Sequence, residues 1–268
     1  MSFPRSYLFV PGDRADRFAK AATSGADEVI FDLEDAVGPE MKAAARANVS
    51  DWFAQGGRGT VRINGGDTPW HQEDLAAFHV LPGATVMVPK AEPRVLRQVA
   101  DALQGTPLIA LIESAAGLGA ARVSAGLVGV SRLAFGNLDF GADLRIPGTG
   151  SVLDPARFEI VLASRLGDLP PPIDGVTTDL TEPRVIADDI QRARDIGFGA
   201  KLCIHPAQVA AVNVGFAPTV VEIAWAQRVI AALDAAAGSV VQVEGKMVDR
   251  PLIERAQQIL QGVDLAAS

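Results

Sequence analysis

Eight short apolar runs, separated by longer alanine-rich segments, govern what this chain can fold into. The runs occupy residues 6–10, 28–32, 60–63, 85–88, 108–112, 132–135, 173–176 and 201–204. Most are apolar at nearly every position rather than at alternate ones, the pattern of a parallel strand covered on both faces. The segments between them, such as 16–23, 40–53, 94–104, 155–166 and 183–195, read as helices. Strands alternating with helices in this number, within about 205 residues, predict a closed (β/α)8 TIM barrel. An open dinucleotide-binding sheet is the rival, but no strand here runs into a G-x-G-x-x-G turn. Residues 218–268 predict a C-terminal helical and β-ribbon extension: a helix over 220–236, a ribbon over 240–248 and a last helix from Pro251. The expected division is thus a barrel over 1–217 and the extension over 218–268, with no linker, repeat or charge block at the junction.

Composition narrows the function. The 268 residues are 49% apolar and 21% charged, enough to bury a sizeable core. With 24 Lys+Arg against 32 Asp+Glu the formal charge is −8, which argues against non-specific binding to nucleic acid or an anionic membrane. The single cysteine, Cys203, excludes a disulfide framework and a thiolate metal site, and its place within a strand predicts packed core. The apolar run before Pro11 is too short for a secretory signal, and no run reads as long enough to span a bilayer. The expectation is a soluble, cytoplasmic protein.

In a barrel of this type, catalytic groups gather at the C-terminal ends of the strands. Strand two ends in Asp32-Leu-Glu34-Asp35, strand three in Arg62-Ile-Asn64, and strand four in Pro89-Lys90. Strand five ends in Glu113, strand six runs through Asn137 to Asp139, and strand eight ends in His205-Pro206. The N-terminal ends show no comparable set of charges. An active site at one mouth is the favoured reading, and carboxylates dominate it. Such oxygen-rich ligation, in a chain of only three histidines, suits a hard ion such as Mg²⁺ held by one or two carboxylates. Glu113 and Asp139 are the candidates, each following an apolar strand and lying on adjacent strands. The ordinary alternative for either is a helix cap or an ion-pair partner. Lys90 keeps a Schiff-base reading barely open, and an ion pair with the Asp32, Glu34 and Asp35 cluster is its better role.

These residues also carry a family resemblance. The stretches RSYLFVPG at 5–12, FDLEDAV at 31–37, VRIN at 61–64, PKAE at 89–92, LIESAAG at 111–117 and FGNLDFGAD at 135–143 occur in order. IDGV at 173–176, IHP at 204–206 and KMVDRP at 246–251 continue it. Together they resemble the citrate lyase β-subunit-like proteins of the HpcH/HpaI aldolase superfamily, over almost the whole chain. The resemblance implies a (β/α)8 barrel, Mg²⁺ dependence, a homo-oligomer (trimer or hexamer) and carbon–carbon lyase chemistry on an acyl thioester.

Carried over residue by residue, the resemblance places the metal carboxylates on Glu113 and Asp139 and the substrate-carboxylate arginine on Arg62. A guanidinium can grip a carboxylate through two parallel hydrogen bonds, which lysine cannot imitate. The ordinary alternative for Arg62 is an ion pair with Asp32 or Glu34. The family's acid/base aspartate falls on Asp249, reaching into a neighbouring subunit's barrel mouth; by default an Asp at a helix start is an N-cap. Substrate contacts fall on Phe9, Lys20, Ile204 and His205, with Pro11, Arg14 and Arg17 near the coenzyme A phosphates and Lys201 in the same stretch as His205. Asp32, Glu34 and Asp35 would support metal-bound waters and Arg62. Asp16 replaces a lysine of some relatives, which leaves an acyl carrier protein open as the thioester's bearer. Asn137 and Leu138 stand where many relatives have small or acidic residues, so selectivity for the substrate's substituent differs. A pyruvate-type class II aldolase acting on free hydroxy-oxo acids, and a carrier-dependent subunit of a multi-chain lyase, are the competing readings.

Overall fold

A computed structural model of the chain describes residues 3–79, 81–235, 241–243 and 246–264. Eight parallel strands close in sequence order into a barrel: β1 (Ser6–Pro11), β2 (Glu28–Asp32), β3 (Gly59–Arg62), β4 (Ala84–Val88), β5 (Leu108–Ile112), β6 (Val130–Phe135), β7 (Ile173–Asp174) and β8 (Ala200–Cys203). The last strand returns to the first in the register Ser6↔Lys201, Tyr7↔Leu202 and Leu8↔Cys203. Every expected run is a strand, with one marked difference. β7 stops at Asp174 instead of running to Val176, because the Val176 N–H is taken by the Asn137 side chain and not by a neighbouring strand.

Strand residues alternate between two environments. Tyr7, Ile30, Met87, Ile109, Leu111, Ala134, Ile173, Ala200 and Leu202 meet inside the barrel. Intervening residues such as Phe31, which packs edge-on to Phe18 at 4.7 Å and to Phe53 at 5.9 Å, face the surrounding helices. Burial of each such ring contributes about 1.5–3 kcal/mol. This two-sided burial is why the strands read as continuous apolar runs. Arg132 is a departure from the expectation that charge avoids the lower ends of the strands. Buried on β6, it donates to the Tyr7 hydroxyl at 3.0 Å and to the carbonyls of Pro4 and Pro171 at 2.8 Å each, so hydrogen bonding offsets its desolvation.

The chain divides into two compact units, residues 4–215 and residues 216–268 with 1–3. The second contains the helix Val220–Ala235, the antiparallel ribbon Val241–Val243 with Lys246–Val248, and the helix Arg250–Asp264. Ala226, Val229, Val248 and Ala256 form its core. Residue 236 of the expected helix and residues 240, 244 and 245 of the expected ribbon lie outside the described residues. One expectation from the sequence is corrected. The helical stretch Pro206–Asp234, 29 residues containing an 18-residue window of mean hydropathy 1.5, is long and apolar enough to cross a bilayer by length and composition. It is broken over 217–219, and its first part buries Val209 and Val212 in the barrel unit. Its two apolar helices sit on either side of Pro218, which is why no single run stood out.

Candidate active site

The inward-facing rows do not end with the core. Two residues beyond Ile30 stands Asp32, two beyond Leu111 stands Glu113, and two beyond Leu202 stands Ile204, so the period-two alternation that buries apolar groups lower down aims two carboxylates and one apolar side chain into the mouth. With Phe9 and Arg62 they line a cavity of 380 Å³, joined by Asp35 and by Asn137, Leu138, Asp139 and Val176 from the loops above β6 and β7. A larger hollow of 490 Å³ lies away from the strand ends, and its charged residues, Arg122 and Glu159, pair with each other at 2.6 Å.

Arg62 is the hub of the mouth. Its Nε and Nη2 donate to the two Asp32 oxygens at 2.7 and 2.6 Å, and its Nη1 lies 3.1 Å from Glu34 and 3.3 Å from Asp35. The Phe9 ring covers the guanidinium at 4.9 Å. Burial opposes its charge, but Asp32, Glu34 and Asp35 outweigh that and hold the guanidinium firmly protonated. Asp32 also accepts the N–H groups of Glu34 and Ala36, so it is saturated. The ion-pair role weighed for Arg62 is therefore present, while its Nη1 edge meets the more exposed Asp35 at the cavity.

Glu113 is buried, and its Oε1 accepts the Lys90 N–H at 2.7 Å. Burial pushes its carboxyl up to about 7, with Asp139 adding and the Lys90 amide and Arg62 opposing. Burial likewise lifts Glu34 to about 8, reinforced by Glu113, Asp35 and Asp32 against Arg62. Asp139, exposed on the first turn of the helix Asn137–Leu144, is raised by burial and by Asp35. This surplus of oxygen donors fits a hard divalent cation. Among the described residues no three His, Cys, Asp or Glu side chains form a ready-made cage, which suits an ion that keeps water and substrate oxygens as ligands.

The remaining candidate residues occupy varied settings. The Lys90 side chain has no ion pair among the described residues; its contribution is the backbone N–H, delivered from a left-handed conformation at φ 44°. His205 does not line the cavity. Its Nδ1 accepts the Ala207 N–H at 3.2 Å and caps a 3₁₀ turn, leaving Ile204 to face the cavity. Lys20 is exposed on a short helix outside the lining, and Arg14 is engaged by Asp16 at 2.9 Å. Lys201 is buried against Asp174 at 3.0 Å. Cys203 is buried, and burial pushes its thiol up to about 12, as packed core requires. Asp249 belongs to the second unit, where it caps the last helix by accepting the Leu252 N–H at 3.3 Å. Sequence reasoning missed the Lys90 amide and the buried carboxamide of Gln208, and it saw Asn137 only as a selectivity position, without its hydrogen bonds to Gly148 and Val176. A lone Asn or Gln near a strand end gives no signal of the backbone groups it will meet.

A family model for HpcH/HpaI aldolase/citrate lyase matches residues 5–206. The chain belongs to the HpcH/HpaI aldolase/citrate lyase family. It is 38% identical to the citrate lyase subunit beta-like protein of Deinococcus radiodurans, over 96% of each chain. It is 33% identical to a (3S)-malyl-CoA thioesterase of Cereibacter sphaeroides, over 98% of this chain and 96% of that one. Among solved structures, CitE from Mycobacterium tuberculosis in complex with magnesium, acetoacetate and coenzyme A superposes with a TM-score of 0.85 at 34% identity, over 97% of this chain and 98% of that one. The HpcH/HpaI family thus accounts for both the closed barrel and the carbon–carbon lyase class read from the sequence.

Proposed function

We propose that this barrel cleaves a 3-hydroxy-3-carboxy acyl thioester of the citryl-, citramalyl- or malyl-coenzyme A type into an acetyl thioester and a 2-oxo acid, with Mg²⁺ as cofactor. One observation carries the reading: a mouth that sets Arg62 and the carboxylates Glu113 and Asp139 against an apolar wall. The relative CitE, solved with magnesium, acetoacetate and coenzyme A, supports both cofactor and ligand class. Glu113 and Asp139 would hold the ion, which when bound supplies Lewis-acid polarisation of the substrate's oxygens. Arg62 offsets the charge of the substrate carboxylate. The C2–C3 bond breaks as the C3 hydroxyl gives its proton to solvent water and becomes the oxo group. The electron pair passes to the carbon next to the thioester, and Asp249, supplied by a neighbouring copy in a homo-oligomer, returns a proton there.

The test is a coupled assay of the isolated protein with citramalyl-, malyl- and citryl-coenzyme A, with and without Mg²⁺. Glu113→Ala and Asp139→Ala should abolish turnover, and Asp249→Asn should slow it while leaving metal binding intact. Mg²⁺-independent turnover, or no cleavage of any of the three, overturns the proposal. The thioesterase relatives support a second reading, hydrolysis of malyl-coenzyme A. Release of free malate, instead of glyoxylate and acetyl-coenzyme A, would identify it.

A further inference from the structure

The side of the mouth that carries Asp139 lacks the ladder that braces the rest. β7 is two residues long, pairing with β6 only through Ala134↔Ile173 and with β8 only through Ile173↔Ala200 and Asp174↔Lys201. Two buried carboxamides replace the missing rungs. Asn137, 2% exposed and two residues before Asp139, accepts the Val176 N–H at 2.7 Å. Its Nδ2 donates to the carbonyls of Gly148 at 2.7 Å and Val176 at 3.1 Å. Gln208, 5% exposed, accepts the N–H groups of Ile204 at 2.9 Å and His205 at 3.3 Å, and donates to the Thr177 carbonyl at 2.8 Å.

The contacts form a continuous tie from the end of β6, across the loop after β7, to the end of β8. A Cβ at Gly175 would run into the Asn137 carboxamide, so glycine there keeps the seat of the first tie open. Val176 and Ile204, the residues gripped, both belong to the apolar wall of the cavity.

The geometry points to Asn137 and Gln208 as positioning residues: Asn137 seats Asp139 and Val176, Gln208 seats Ile204, and together they set the size of the substituent that the wall accepts on the substrate's hydroxyl-bearing carbon. The substituent clause rests on the proposed lyase reading; the seating of Asp139 does not. Hydrogen bonds from the two buried carboxamides to buried or part-buried backbone groups hold these loops in one place, and removing a carboxamide takes away three of those bonds at once.

Two measurements test the pair on the full-length protein. Mn²⁺ titration followed by electron paramagnetic resonance reads the metal carboxylates without substrate. Asn137→Ala should bind Mn²⁺ about tenfold more weakly, as loss of outer support to a ligand does, while Gln208→Leu should stay near wild type. The ratio of kcat/KM for citramalyl-coenzyme A over malyl-coenzyme A, which differ by one methyl, should shift in Gln208→Leu by about tenfold, the scale of one-methylene discrimination. Asn137→Asp and Gln208→Glu keep the acceptor oxygen and should recover part of each loss; they also serve if the larger truncations fail to fold. Wild-type Mn²⁺ affinity in folded Asn137→Ala, or an unchanged substrate ratio in folded Gln208→Leu, overturns the assignment. A wild-type protein that binds Mn²⁺ and cleaves neither thioester defeats the lyase reading, while the Mn²⁺ comparison still decides the role of Asn137.

Discussion

Gly136→Ala tests how tightly the mouth is built. Gly136 follows β6 with φ −89°, a backbone open to any residue, so the substitution adds a methyl without backbone strain. That methyl would sit 2.5 Å from Glu113 Cβ and 2.6 Å from Glu113 Oε2, where ordinary contact begins near 3.4 Å. Glu113 must therefore retreat by about 1 Å, against the Lys90 N–H that holds its other oxygen; a shift of that size at a reacting centre costs about a hundredfold in rate. Overpacking of this kind costs about 1–3 kcal/mol, which in a chain of this size lowers Tm by about 2–10 °C. Three readouts separate the effects: thermal melting, Mn²⁺ affinity, and kcat against KM for the thioester. The expected pattern is a modest drop in Tm, weaker metal binding and a large loss of kcat. Gly119→Ala is the control, because a Cβ there meets nothing within 4 Å. Wild-type metal affinity and turnover in Gly136→Ala would refute the placement of Glu113.

Two further outcomes follow from the charges. Glu34 and Glu113 titrate at about 8 and about 7 in the folded, metal-free protein against an ordinary 4.5, so the stability they contribute is complete below 4.5 and is lost as pH rises towards 8. Urea unfolding of chelator-treated protein should show stability falling by about 1.4 kcal/mol per pH unit for each group, from about pH 5 up to about 7 for Glu113 and up to about 8 for Glu34, and Glu34→Gln should flatten the profile; a flat wild-type profile contradicts both assignments. Arg62→Met should cost about 3–5 kcal/mol by leaving buried Asp32 without its guanidinium, with Asp32→Asn recovering most of it in the double variant. Undiminished stability of Arg62→Met in denaturant would show that the Asp32 pair is not what holds this end of β2 and β3 together.

What the sequence made legible was what depends on period and sign. The eight strands were visible because each is buried on both faces, and Asp32, Arg62 and Glu113 stood out because they break an apolar run at its C-terminal end. Asp139 was found by the same logic although it lies on a helix turn and not on the strand, since the four residues after Phe135 keep it at the mouth. Contacts that cross between strands were not legible. Nothing local distinguishes Asn137, whose three hydrogen bonds reach Gly148 and Val176, from an exposed asparagine. The early end of β7 follows from the same long-range bond, so the strand and the amide were misjudged together. His205 drew attention as the end of strand eight and through the resemblance, yet its ring caps a turn three residues long, a role decided by local backbone geometry and not by residue type.

The division of charge around the cavity explains why a cation belongs on the β5–β6 side in particular. Five carboxylates, those of Asp32, Glu34, Asp35, Glu113 and Asp139, face one guanidinium. Arg62 spends its direct contacts on the first three, although burial still holds Glu34 up at about 8. Glu113 and Asp139 make no direct pair with it and feel its longer-range field, joined at Asp139 by that of Lys90, and both remain raised above their ordinary range by burial and by neighbouring carboxylates. An acidic pair in that condition, Glu113 buried and Asp139 at the open side of the mouth, has two ways to relax: it takes up a proton, or it takes up a cation. The proton leaves a neutral, weakly polarising site, and ionisation without a counter-charge would repel an incoming hydroxy acid. A divalent ion relieves the pair and turns the same patch attractive to the substrate's carboxylate and hydroxyl. The proposed Mg²⁺ requirement fits this arrangement, because every direct pair of Arg62 lies with Asp32, Glu34 and Asp35 and none with Glu113 or Asp139.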